Sequence, residues 1–271
     1  MEVHPTAIIE KGAILGNGVH IGPWCHIDSN VIIGDNVRLH SSVSISGRTK
    51  IGNGVEVYPF ATIGLAPQDL KYQGEDSECL IGDNTIIREG VTIHRGTAFG
   101  GGTTSVGKNC LVMVNAHIAH DCCIGNNVII VNNVVIGGHV CIEDNARIMG
   151  AAAIHQFVRI GRGAMVGGKT GIERDLIPYG TAMGNRARLV GLNWVGLKRS
   201  GVQHDELQVM RQALRVLYPR NGAIDGSLPQ RIIRARELFG KEPKVLEILN
   251  FMENPSKRGL TIAQIFENGD G

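Results

Sequence analysis

An aliphatic residue returns every six positions along most of the first 172 residues. Stepping from Ile9 meets Leu15, Ile21, Ile27 and so on to Ile63. The series resumes at Ile81, Ile87 and Ile93, then runs from Val106 to Ile172. Two places before each anchor stands a small or β-branched residue, as in Ala7, Val19, Cys25, Val37, Cys110, Ala116 and Val140. Gly or a polar residue often follows the anchor. Along a strand, side chains repeat every two residues, so the pair small–x–aliphatic points one way. A helix needs a period near 3.6, which six fits badly. Each hexad therefore reads as a short strand plus a turn. Three hexads close one triangular coil of 18 residues, about 4.8 Å from the next coil, and each coil buries its neighbour's face.

Composition agrees with a coil of this kind. Aromatics are 4% of the 271 residues, so aliphatics must fill the core, and 37 glycines suit many fixed turns. A net charge of +2 gives no reason to expect nucleic acid or a membrane surface. The six cysteines, at 25, 79, 110, 122, 123 and 141, lack C-x-x-C spacing and read as small buried residues in a reducing setting. No stretch is apolar enough to span a membrane, and the start has no basic, apolar leader pattern. The expected location is the cytoplasm.

The rhythm stops at 66–78 and 95–104, which read as loops ejected from the coil and able to carry binding residues. It fades after Ile172, where Pro178 takes the next anchor position. From about 187 the spacing turns helical. Leu207, Met210, Leu214 and Leu217 mark one helix, with Asp205 near its start. Ile232, Ile233, Leu238 and Phe239 mark a second, and Val245 to Met252 a third, with Pro229 and Pro243 near the starts. The expected domains are a β-helix over 1–186 and a helical domain over 187–271. The second is rich in Lys198, Arg199, Arg211, Arg215, Arg220, Arg231, Arg234 and Arg236, a surface for an acidic partner.

Hexads beginning at 118, 136 and 154 differ by one coil, so they stack. His120, Gly138 and Gln156 hold the same place in successive coils. His139 and His155 join that wall, and His117 stands at the corner before it. The repeat requires histidine at none of these places. An imidazole titrates near neutrality and can take a proton from a hydroxyl. Asp121 follows His120, although strand neighbours ordinarily point to opposite sides. No Ser or Cys makes an obvious nucleophile pair with His120, which favours direct attack by a substrate hydroxyl. Gly138 leaves a backbone N–H open for an attacked carbonyl.

The segments HPTAII (4–9), QDLKYQGE (68–75), VTIHRGT (91–97), NAHIAHDC (115–122), GGHV (137–140), HQF (155–157) and GLKRSG (196–201) together resemble the UDP-N-acetylglucosamine acyltransferases that begin lipid A synthesis. The resemblance implies a left-handed parallel β-helix of hexapeptide repeats with a C-terminal helical domain. It implies transfer of a 3-hydroxyacyl chain from acyl carrier protein to the 3-hydroxyl of UDP-N-acetylglucosamine. His120 is then the general base, Asp121 its assistant and Gly138 the oxyanion N–H. Gln68, Asp69, Lys71 and His94 fall in segments that hold substrate. His117, His139, His155 and Gln156 line the groove, Gly168 limits acyl length, Asn193 lies near the nucleotide, and Arg199 faces the carrier. A homotrimer with sites between subunits is implied, with no metal or bound cofactor, the acyl group arriving on the carrier's phosphopantetheine arm. Ser200 after Arg199, and Val195, depart from the pattern in many members.

Other readings share parts of this pattern. N-acyl transfer to a 3-amino sugar analogue uses the same coil. The related N-acyltransferase adds an N-terminal uridine-binding domain, whereas hexads here begin by residue 9. Coenzyme A-dependent acetyltransferases share the hexads but not QDLKY. A β-helical carbonic anhydrase binds zinc through three histidines across a subunit boundary, for which His117, His120 and His139 are candidates. A scaffold coil without chemistry leaves the interruptions and the second domain unexplained.

Overall fold

The computed structural model describes residues 1–219 and 226–264. Arg220 lies outside them. Residues up to 172 wind into a three-sided parallel β-helix. Among the described residues its sides are sheets of 11, 9 and 8 strands, most of two residues. Val3 pairs with Ile21, Ile21 with Leu39, and Ile9 with Ile27, one coil apart. The small–x–aliphatic pair points inward as the alternation requires. Ala116 and Ile118 are 1% and 0% exposed, while His117 between them faces outward and is half-buried. Each fully buried aliphatic stabilises the stack by roughly 1.5–3 kcal/mol.

Turns between sides place one residue in the left-handed region. Asn fills many of these positions, among them Asn36, Asn84, Asn115, Asn127 and Asn133, because its short polar side chain tolerates that conformation. Elsewhere the turn N–H is capped from the next coil: Asn17 N–H by Asp35 at 2.6 Å and Lys108 N–H by Asn126 at 2.8 Å.

Both interruptions leave the coil and return in register. Ile51 pairs with Ile81 across the loop 66–77, and Ile81 with Val106 across 95–102. Strands resume at Glu78 and Thr103, slightly before the expected loop ends.

The expected boundary at 187 cuts a hairpin. Gly180–Met183 and Arg188–Leu192 pair antiparallel and extend the 11-stranded side. The helical part begins with α1 (Trp194–Arg199), followed by α2 (His204–Leu217), α3 (Leu228–Phe239) and α4 (Pro243–Glu253). Leu207, Met210, Leu217, Ile232, Val245 and Leu249 form its core. Ile233 and Leu238 on α3 face outward. Ser227 and Gln230 make a capping box before α3. Buried Asp175 joins the two parts: it accepts from Arg159 Nε at 2.7 Å and donates its N–H to Gly259 O at 2.8 Å.

Candidate active site

The histidines of interest gather at the corner between the 9- and 8-stranded sides. Strands His117–Ile118, Val135–Ile136 and Ala153–Ile154 lead into it, and Cys123–Ile124, Cys141–Ile142 and Arg159–Ile160 lead out. His117 stands opposite Val135, and Val135 opposite Ala153. The three intervening turns are therefore in register, with His120 over Gly138 over Gln156. His139 N–H bonds His120 O, and Phe157 N–H bonds Gly138 O, each at 3.0 Å. Asp121, His139 and Phe157 take the left-handed position (φ 59°, 60° and 67°) that Asn fills at many other corners. Bulky residues are rarely found there.

That conformation sets Asp121 beside His120, although strand neighbours ordinarily point to opposite sides. His120 and Asp121 form a turn rather than a strand, so the carboxylate swings beside the ring. His120 Nδ1 lies 2.7 Å from Asp121 Oδ2. A carboxylate only accepts, so Nδ1 carries the hydrogen and neutral His120 keeps its lone pair on Nε2. The ring rests on Gly138: a Cβ there would stand 2.7 Å from Cε1 and 2.8 Å from Nε2. Glycine at 138 thus makes room for the imidazole. Its N–H has no hydrogen-bond acceptor among the described residues.

Asp121 is held on every side. Thr97 donates its N–H at 2.8 Å and its hydroxyl at 2.7 Å, and Asp121 N–H donates to Thr104 Oγ1 at 2.7 Å. Gly100 packs flat on the carboxylate, where a Cβ would come within 1.9 Å of Cγ. The loop 95–102 builds this cradle. Sequence reasoning missed Thr97, Thr104 and Gly100. Thr97 stood in the VTIHRGT motif, but nothing in the pattern tied it to Asp121.

Three further imidazoles surround His120. His94 is 6% exposed, and burial, then the nearby His117, His120 and Arg95, push its pKa down to about 4. His94 Nδ1 has no hydrogen-bond partner among the described residues. Its ring meets His117 edge-on at 4.9 Å, and His117 Nδ1 bonds Thr92 Oγ1 at 2.7 Å. Burial first, then His120, lowers the His117 pKa. Burial first also lowers that of His139, which stands perpendicular to His120 at 5.0 Å and stacks on Phe157 at 4.5 Å. In all three, burial favours the neutral imidazole over the cation. His120, Asp121 and His139 bring three ligand atoms within 4.8 Å of one another. His117 is outside that group.

The loop 66–77 reaches this wall. Asp69 is close enough to His139 to act on it electrostatically, and its Oδ1 accepts Lys71 N–H at 3.0 Å. Gln68 and Lys71 are exposed, and Leu70 is fully so. Arg95 clamps the loop through Tyr72 OH at 2.9 and 2.7 Å, and Ala98 N–H bonds Glu75 at 3.1 Å, so the two loops brace each other. His155 and Gln156 are exposed at the end of the stack.

Gly168, Asn193 and Arg199 are not brought to this corner within one chain. Gly168 lies in the turn between the 11- and 9-stranded sides. Asn193 caps α1, accepting Gly196 N–H at 3.0 Å and donating to Gly163 O at 3.0 Å, at the third corner. Arg199 is exposed at the end of α1, where Ser200 closes the helix by bonding Leu197 O at 2.8 Å.

Residues 30–65 and 103–138 match the model of the bacterial transferase hexapeptide (six repeats), and residues 175–261 that of UDP N-acetylglucosamine O-acyltransferase, domain 2. The acyl-[acyl-carrier-protein]–UDP-N-acetylglucosamine O-acyltransferase of Bartonella henselae is 45% identical over 95% of this chain and 92% of its own length. The chain belongs to this O-acyltransferase family. The Brucella ovis relative of the same name is 48% identical over 94% of the chain and 91% of its own. The solved UDP-N-acetylglucosamine O-acyltransferase of Moraxella catarrhalis superposes with a TM-score of 0.90 at 41% identity, covering 96% of this chain and 100% of that one. The coil is the left-handed parallel β-helix of the family. Family membership sets aside the scaffold, anhydrase and acetyltransferase readings.

Proposed function

We propose that the protein transfers a 3-hydroxyacyl group from acyl carrier protein to the 3-hydroxyl of UDP-N-acetylglucosamine, the first step of lipid A biosynthesis. The observation that carries this reading is the His120–Asp121 pair seated over Gly138. Nε2 of His120 takes the proton of the sugar hydroxyl as its oxygen attacks the thioester carbonyl. Asp121 holds the ring and stabilises the imidazolium that forms. The carbonyl oxygen gathers charge beside Gly138 N–H, a donor worth about 3–4 kcal/mol in such a position. Collapse breaks the C–S bond, and the departing pantetheine thiolate takes the proton from His120. Among the described residues no Ser or Cys bonds His120, so direct transfer is favoured over an acyl-enzyme. The phosphopantetheine arm brings the acyl group, and the step calls for no further cofactor.

A hydrocarbon track is available beside the histidines. Past His117 the outward column of the 9-stranded side continues with Val135, Ala153 and Gly171, small and apolar. Gly168 borders the same side, and a Cβ there would meet only Gly150 O at 3.4 Å. We assign the acyl chain to this strip. Gly168, Asn193 and Arg199 sit at or beyond other corners, which supports a homotrimer whose groove is completed by a neighbouring subunit. Gln68, Asp69 and Lys71 then hold the sugar nucleotide from the loop. Exposed Lys198, Arg199, Arg211 and Arg215 offer an acidic carrier a basic surface. No helix of the described residues is long and apolar enough to cross a membrane, and we place the enzyme in the cytoplasm.

Mass spectrometry of products from mixed carrier-bound chains, with UDP-N-acetylglucosamine and its 3-amino analogue supplied together, tests the reading. The expected product is the 3-O-ester. Exclusive acylation of the amino sugar, or no acyl transfer, would overturn it. In the same mixture Gly168→Met, whose side chain enters open space, shifts the products to shorter chains. An unchanged profile would remove Gly168 from the length-setting wall.

A further inference from the structure

Four cysteines, Cys25, Cys79, Cys110 and Cys122, are buried in the coil, but Cys123 and Cys141 are exposed. These two occupy outward positions on adjacent strands of the 8-stranded side, directly opposite each other in parallel register. The outward column reads Ser105, Cys123, Cys141, Arg159. Ser105 and Arg159 fill the same slot in the flanking coils, so packing does not demand a thiol there. The proposed acyl transfer uses neither sulfur.

We propose that Cys123 and Cys141 form a solvent-facing dithiol that closes reversibly into an interstrand disulfide by exchange with low-molecular-weight disulfides.

Neighbouring strands lie about 4.7–4.9 Å apart, inside the roughly 4.4–6.8 Å between Cα atoms that a disulfide spans. The preferred Cβ separation, about 3.5–4.5 Å, is slightly shorter than the strand spacing. Closure therefore draws two rungs together, and the bond stays easy to reduce. The two thiols differ in reactivity. The neighbouring Cys141 thiol chiefly, with help from Ser105, holds the Cys123 thiol below the usual range. The Cys123 thiol beside it, then burial, pushes Cys141 up, while Arg159 opposes the rise. Cys123 is thus the attacking thiolate.

The exchange balances in two displacements. Cys123 thiolate attacks one sulfur of the small disulfide. The S–S bond breaks, and one small thiolate leaves and takes a proton. Cys141 then gives up its proton and attacks the Cys123 sulfur, expelling the second small thiol. Two protein thiols are oxidised by two electrons, and the small disulfide is reduced to two thiols.

The test treats the full-length protein with oxidised glutathione near neutral pH, quenches by alkylation, and reads intact mass and peptide maps. Wild type is expected to lose two hydrogens, retain no glutathione, and return on adding dithiothreitol. Cys141→Ser is expected to stop with one glutathione on Cys123. Cys123→Ser is expected to react at least tenfold more slowly. Serine already occupies this column at Ser105, so both variants should keep the wild-type circular dichroism and melting profile. A wild-type protein that stays reduced would overturn the proposal. So would one that halts at a mixed disulfide with Cys141 free, or one whose disulfide maps to another pair.

Discussion

His120→Ala lowers kcat on the order of 10²–10⁴-fold, the usual contribution of a positioned general base. The loss falls on kcat more than on KM, because the imidazole acts where the hydroxyl proton moves and adds little to ground-state binding. The fold survives the change. His120 lies in a turn and its side chain points out of the aliphatic core. Asp121 keeps both bonds from Thr97 after the ring is gone. Thermal melting should therefore stay close to wild type while turnover collapses. Turnover within a few-fold of wild type would remove His120 from the base role.

Gly138→Ala is expected to cost on the order of 10² in kcat. A methyl group at 138 would stand 2.7–2.8 Å from two atoms of the His120 ring. The Gly138 backbone is not in the left-handed region, so alanine imposes no conformational strain of its own. The imidazole gives way instead. It tilts off Asp121, and Nε2 leaves the position from which it meets the sugar hydroxyl. A displacement near 1 Å suffices for a loss of this size. Steady-state kinetics with a melting curve distinguish this from unfolding. A variant as active as wild type would mean that the ring does not need this seat.

Much of the architecture was legible because a strand's two-residue alternation and a six-residue period leave few alternatives. Ala116 and Ile118 point inward and His117 outward for that reason alone. Equal 18-residue steps likewise placed His120, Gly138 and Gln156 in one column before any coordinates. Asp121 was harder. Treated as a strand neighbour it faces away from His120, and only the left-handed turn sets them side by side. Thr97 and Gly100 could not be read, because the loop 95–102 has no period from which to fix its return. The hairpin and α1 were missed as well. Each is short, and α1 carries Gly196, a weak helix former, in its interior. Cys123 and Cys141 were read as buried with the others, although the column of Ser105 shows that their slots face outward.

A crystal structure of the protein with its 3-O-acylated sugar nucleotide bound tests the central claim most directly. The account predicts the ester oxygen at the sugar 3-position within about 2.6–3.2 Å of His120 Nε2. It also predicts the acyl carbonyl oxygen about 2.7–3.1 Å from Gly138 N. A product seated elsewhere on the coil, with both atoms unoccupied, would contradict it.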